Sequence, residues 1–238
     1  MRPGDTEGLV AVVLVAAGSG ARLRAGAPKA FVLLRGQSLL TRALGTAAEC
    51  PHISTAVIVA PSSHLAEAAA AASAAGVRAD LEVIVVPGGA HRGDSVSAGL
   101  RALAERPTVV LIHDVARALA PASLFMAVIE AVRAGHPAVV PGLPVVDTIK
   151  QVDVTGRVVA TPDRSALRAI QTPQGFTGEL ILGVHETSAE SDLVTDDAAL
   201  VERLGAPVHV IPGDGRALKI TTPEDLVLAE TLLERSRA

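Results

Sequence analysis

The chain has 238 residues, 49% of them apolar, a net charge of −4, and neither Trp nor Tyr. This is enough apolar sequence for one large core without disulfides or a structural metal. The mild acidity excludes a basic nucleic-acid binder, and Phe31, Phe125 and Phe176 alone do not make the stacking platforms of a single-strand binder. Cys50 is the only cysteine, so no intrachain disulfide or thiolate cluster forms; it reads as a packed thiol in a cytoplasmic protein. The polar first eight residues are unlike a secretory signal, and no apolar run nears the ~18 residues of a membrane helix.

Short β-branched runs predict buried strands at 10–15, 56–60, 81–86, 109–113, 138–141 and 208–212. Helices are predicted between them: 38–48 after a Gly-Gln turn, the alanine-rich 62–75, then 94–104 and 121–134 with apolar residues three and four apart. In the last helix Thr222 is the cap, Pro223 takes the first helical position and Asp225 answers the cap. Strands alternating with helices predict an α/β fold, a Rossmann-like three-layer sandwich around a mostly parallel sheet. The segment 145–164 breaks the alternation. With its strand-like composition and a Thr-Gly turn it reads as a β-hairpin arm, or equally as a meander on the sheet edge.

Ligands of an open parallel sheet bind at the carboxyl ends of its strands, so the residues following each strand carry the functional signal. After the first comes AAGSGARLRAGAPKA, where Ala16, Ala17, Gly18 and Gly20 leave the backbone open to phosphate oxygens and Arg22 and Lys29 add charge. A P-loop is excluded because no Ser or Thr follows a Gly-Lys pair. Leu23 stands where a dinucleotide fingerprint needs a small residue. After the third strand, PGGAHRGDSVSAGL offers Gly89, Arg92 and Ser95, with Asp94 as a plain helix N-cap and His91 as a solvent-facing loop residue. After the fourth, Asp114 beside Arg117 is placed to ligate Mg²⁺ or to form a surface ion pair, and His113 is a packed histidine. Lys219 is expected in a strand leading to the last helix.

These segments, with DTIKQV, TPQGF, VTDDAALVE and LKITTPEDL, stand in the order and spacing of the 2-C-methyl-D-erythritol 4-phosphate cytidylyltransferases, which the chain resembles over about residues 9–233. The resemblance implies transfer of CMP from CTP to a methylerythritol phosphate in isoprenoid precursor synthesis by the non-mevalonate route, with release of pyrophosphate. It implies that Arg22 and Lys29 stabilise charge at the α-phosphorus, and that Arg164 and Lys219 hold the sugar phosphate. Asp114 would carry Mg²⁺, with Arg117 nearby, and Ala16, Ala17, Gly18, Gly20, Gly89 and Ser95 would surround the nucleotide. Arg92, Arg117, Thr148, Thr172 and Thr195 are assigned to substrate binding. The whole chain, 1–238, is then one nucleotidyltransferase domain with an arm at about 143–165, and the arm crosses a two-fold axis to complete the active site of a homodimer.

Three positions depart from the family's usual residues. Ala30 follows Lys29, Ala118 closes HDVARA, and Ala90 leaves the choice of cytosine to backbone groups. A ribitol 5-phosphate cytidylyltransferase and a sugar-1-phosphate nucleotidyltransferase share the architecture. A nucleotide-binding regulatory module would lack Arg22, Lys29 or Asp114, and all three are present.

Overall fold

The structure, a computed structural model, describes residues 8–18, 20–23, 26–187 and 196–235. Its centre is β1 (Val10–Val15), a continuous apolar run that can be buried only if both faces and both edges are covered. Parallel neighbours flank it, β4 (Ile53–Ala60) on one side and β6 (Val109–Asp114) on the other. Beyond β4 lies β5 (Glu82–Pro87), also parallel.

On the far side of β6 the pattern changes. Strand β11 (Gln174–Thr177) runs antiparallel to β6 and to β7 (Ala138–Pro144), which also pairs with antiparallel β10 (Arg168–Ile170) and parallel β12 (Val208–Pro212). The result is an eight-stranded mixed sheet with a parallel core. Two strands of two residues each, β2 (Leu33–Leu34) and β3 (Gln37–Ser38), form a small hairpin ahead of the first helix.

The period-2 alternation of β1 sorts its side chains into two layers. Val10, Val12 and Leu14 pack with α1 (Leu39–Glu49), α2 (Leu65–Ala74), α4 (Ala122–Arg133) and α7 (Pro223–Arg235), through residues such as Leu40, Ala68, Phe125 and Ala229. Val13 faces the opposite layer, against α3 (Arg92–Arg101), α5 (Gly178–Thr187) and α6 (Asp197–Arg203), through Val96, Ile181 and Val201. The three-layer α/β architecture expected from the sequence is the one observed.

The segment that broke the alternation is a hairpin. Strands β8 (Gln151–Val152) and β9 (Val158–Ala160) pair antiparallel as a sheet of their own, off the main sheet. Asp153 shapes the turn between them, its carboxylate accepting from the backbone N–H groups of Thr155 (3.0 Å) and Arg157 (3.1 Å).

Several local expectations shift. Helix α3 begins two residues before Asp94, whose carboxylate instead accepts from the His91 backbone N–H at 3.1 Å, as the third residue of the helix. Lys219 joins no strand: Gly215–Ala217 form a short 3-10 turn ahead of it, and the Ile220 N–H donates to the Ala116 carbonyl. The Thr222 and Asp225 cap forms as expected, with the Thr222 N–H donating to Asp225 at 2.8 Å and the Asp225 N–H to the Thr222 hydroxyl at 3.3 Å.

Candidate active site

Parallel register sets Val15 beside both Val59 and Asp114, so the segments leaving β1, β4 and β6 emerge together. With the loop after β5 they enclose a cleft of about 460 Å³. Ala16, Ala17, Gly18, Gly20, Arg22 and Lys29 line it from the first loop, Gly89, Arg92 and Ser95 from the second, and Asp114 and Lys219 complete it. Gly20 is required there on two counts. Its φ of +67° suits a residue without a side chain, and a Cβ would lie 2.8 Å from the Lys29 Cβ.

The electrostatics centre on Asp114, which is nearly buried. Its Oδ1 accepts from Arg92 Nε at 3.2 Å and its Oδ2 from Lys219 Nζ at 2.7 Å. Burial alone would raise its pKa, but Arg92 and Lys219 more than reverse this and hold the group ionised, well below the ordinary carboxylate range. Lys29 is lowered from the ordinary lysine value by burial first, then by the neighbouring Lys219 and Arg22 charges. Cations that destabilise one another in this way favour an incoming polyanion, and among the described residues Asp114 is the only acid lining the cleft.

Other expected residues are placed differently. The Ser95 hydroxyl accepts from the Gly89 N–H at 3.2 Å and donates to the His91 carbonyl at 3.1 Å, so both groups shape the loop before they can meet a base. Thr172 is buried outside the cleft; its hydroxyl accepts from the Asp114 N–H at 3.1 Å and lies 3.1 Å from His113 Nδ1. In this chain it braces the acid. His113 is fully buried against Phe125, and burial lowers its pKa to about 4, so the packed, neutral histidine expected from the sequence is present.

Arg117 makes no pair with Asp114. Its guanidinium donates to the Ala217 carbonyl (2.7 Å) and the Ile170 carbonyl (3.1 Å), stapling the segments that lead to Lys219 and Thr172. Thr148 and Arg164 are exposed on and beside the hairpin and do not line this chain's cleft; Arg164 donates to the Val146 carbonyl at 2.8 Å. Thr195 lies outside the described residues.

Two contributors were not singled out from the sequence. Gln171 is buried, donating to the Asp214 carbonyl (2.9 Å) and accepting from the Asp214 N–H (3.0 Å), which fixes the approach of the Lys219 segment. Asp197 is buried against Arg92 at 2.7 Å. Gln171 stands beside the TPQGF motif and Asp197 within VTDDAALVE, but nothing in those segments marks either side chain as buried.

Comparison with known proteins agrees with this geometry. The family model for IspD, 2-C-methyl-D-erythritol 4-phosphate cytidylyltransferase, matches residues 10–235. The chain is 48% identical to the enzyme of that name from Streptomyces avermitilis, over 99% of this chain and 96% of the other. It is 49% identical to that from Rhodococcus jostii, over 97% of each. Its fold superposes on the crystal structure of 4-diphosphocytidyl-2C-methyl-D-erythritol synthase from Anaerococcus prevotii with a TM-score of 0.85 at 30% identity, covering 99% of this chain and all of the other. A cation-lined cleft at the strand ends and a full-length family match lead to one conclusion: the chain belongs to the 2-C-methyl-D-erythritol 4-phosphate cytidylyltransferase family.

Proposed function

We propose that the cleft aligns two anions, CTP and 2-C-methyl-D-erythritol 4-phosphate, for in-line attack, and that the charges divide the work. The chain's reaction is that of its family, transfer of the cytidylyl group of CTP to 2-C-methyl-D-erythritol 4-phosphate in isoprenoid precursor synthesis. An oxygen of the sugar phosphate bonds to the α-phosphorus of CTP, and the bond to the departing pyrophosphate breaks. A phosphate monoester is already largely ionised near neutral pH, so the barrier is mainly one of charge and alignment rather than proton removal.

In this reading Arg22 and Lys29, which flank the small-residue loop, stabilise charge accumulating at the α-phosphorus. The backbone of Ala16 to Gly18, with Gly20, Gly89 and Ser95, surrounds the nucleotide. Arg92 and Lys219 are held at the cleft by Asp114, and Lys219 turns from the acid to the sugar phosphate when substrate arrives. The observation that carries the reading is the crowding of Lys29, Arg22 and Lys219 beside Asp114 at the strand ends.

Asp114 suits Mg²⁺, which takes one or two carboxylates and completes its shell with phosphate oxygens and water. Among the described residues no group of three His, Cys, Asp or Glu side chains is placed to hold a metal ion. Bound there, the ion would neutralise triphosphate oxygens, and Asp114 would exchange one of its two cation contacts to hold it.

The reading includes one nucleotidyltransferase domain over 1–238, a cytoplasmic location, and a homodimer in which the arm at about 143–165 enters the partner's cleft. Its support is that Thr148 and Arg164 stand clear of this chain's own cleft, on a hairpin whose Val154, Val158 and Val159 are all exposed.

The test is pyrophosphate release with CTP and Mg²⁺, run in parallel with 2-C-methyl-D-erythritol 4-phosphate and ribitol 5-phosphate. Turnover with the first substrate alone is expected. Turnover with ribitol 5-phosphate alone would overturn the substrate and leave the cleft chemistry standing.

A further inference from the structure

Asp197 opens helix α6 and is 1% exposed, yet it lines no part of the cleft. A carboxylate so deeply buried is stable only with close partners, and it has them on both sides. Its Oδ2 accepts from Arg92 Nη1 at 2.7 Å, and its Oδ1 lies 3.3 Å from His185 Nε2. Behind the histidine, Nδ1 is 2.8 Å from the Ser97 hydroxyl. In front, Arg92 Nε reaches Asp114 at 3.2 Å and Asp114 reaches Lys219 at 2.7 Å. A continuous row of side chains thus runs from the α3–α5 contact, through the second acid of VTDDAALVE, to the cleft.

The geometry gives Asp197 a defined task. A guanidinium is planar and offers its donors in a rigid fork, so carboxylates on two of its nitrogens fix both its position and its plane. With Asp114 as sole partner, Arg92 would follow that acid or be drawn off it by incoming phosphate. A second, buried acid that no ligand can reach keeps Arg92 in place while Asp114 changes partners. The charge balance agrees: burial works against the Arg92 cation, and Asp197, then Asp114, more than restore it.

We propose that Asp197 is the positioning residue of the nucleotide cleft, a buried counter-ion that holds Arg92 against Asp114 from outside the site, with His185 and Ser97 fixing Asp197 in turn. This rests on the reading of Arg92 and Asp114 as part of the substrate site.

A double-mutant cycle tests it, with steady-state kinetics and thermal melting on wild type, Asp197→Asn, Arg92→Gln and the double variant. Asp197→Asn is expected to lower kcat/KM for CTP on the order of tenfold to a hundredfold, chiefly through KM. Because it acts through Arg92, the double variant should be no slower than Arg92→Gln alone, whatever the melting temperatures do. Losses that multiply, or an Asp197→Asn enzyme with wild-type kcat/KM, would overturn the proposal while leaving the cleft reading intact. Wild-type kcat/KM in Arg92→Gln itself would overturn the cleft role of Arg92 and this proposal together. If Asp197→Asn does not fold, the same cycle with His185→Gln reads the link one step back. Coupling of the same sign supports the proposal, and simple multiplication overturns it.

Discussion

The strand-end cleft and the hairpin arm handle charge in opposite ways. At the cleft, Asp114, Arg92 and Lys219 hold one another across distant segments of the chain, with Asp197 behind Arg92, and the acids are buried. On the arm the bonds are local. Asp153 serves its own turn, Asp163 accepts from the Ser165 N–H at 2.9 Å, and Arg164 reaches only the nearby Val146 carbonyl. Most of the cleft's charge stands in place before substrate binds and only the Asp114 contacts change, whereas a loosely held side chain acts only once something orders it. In the proposed reading, the cleft of one chain is finished for the nucleotide, and its sugar-phosphate site awaits a partner's arm.

The largest effect is expected in the finished region. Lys29→Ala should lower CTP-dependent pyrophosphate release on the order of 10²–10³-fold, as removal of a preorganised transition-state donor does. Undiminished turnover would remove Lys29 from the chemistry. A smaller but still large loss is expected from Gly20→Ala. The added methyl would press on Lys29 at a residue held at φ +67°, so kcat should fall on the order of tenfold while the fold, read by circular dichroism, persists.

On the arm, Val154→Glu should leave the melting temperature of the globular part within about 2 °C, since an exposed turn residue supports little of the core. By sedimentation it should weaken self-association if that valine is covered by a partner. Equal self-association in both proteins would sharpen the comparison against a role for the hairpin tip.

The smallest effect concerns Cys50, away from both regions. It is fully buried, and burial raises its thiol to about 11, so a maleimide should label it only on unfolding, at neutral pH and well above. Rapid labelling of the native protein would contradict its burial.

How far the sequence foretold these regions follows from what each depends on. Central strands announce themselves because two-sided burial demands unbroken apolar runs, and 10–15 matches β1 residue for residue; 208–212 matches β12, a partly exposed strand paired only with β7 among the described strands, through its β-branched residues. The antiparallel β10 and β11 were not legible, since three- and four-residue strands interrupted by Gln and Pro carry no period long enough to read. Cleft residues on glycine-rich loops were legible because phosphate chemistry needs them close to their strand in sequence. The bonds of Arg117 and Thr172 were not legible, because residue type does not reveal which way a polar group points; one staples backbone carbonyls and the other braces Asp114. Asp197 went unassigned for the same reason, since its partner Arg92 lies 105 residues away.

The central claim is that the finished cleft of one chain needs the arm of another, and mixed dimers test it most directly. Arg164→Ala and Lys219→Ala proteins, each nearly inactive alone, should recover about a quarter of wild-type pyrophosphate release when unfolded together and refolded at equal amounts, because half the dimers are mixed and each carries one intact site. No recovery, with mixed dimers demonstrated by mass, would contradict the account and return Arg164 and Lys219 to the same chain's site.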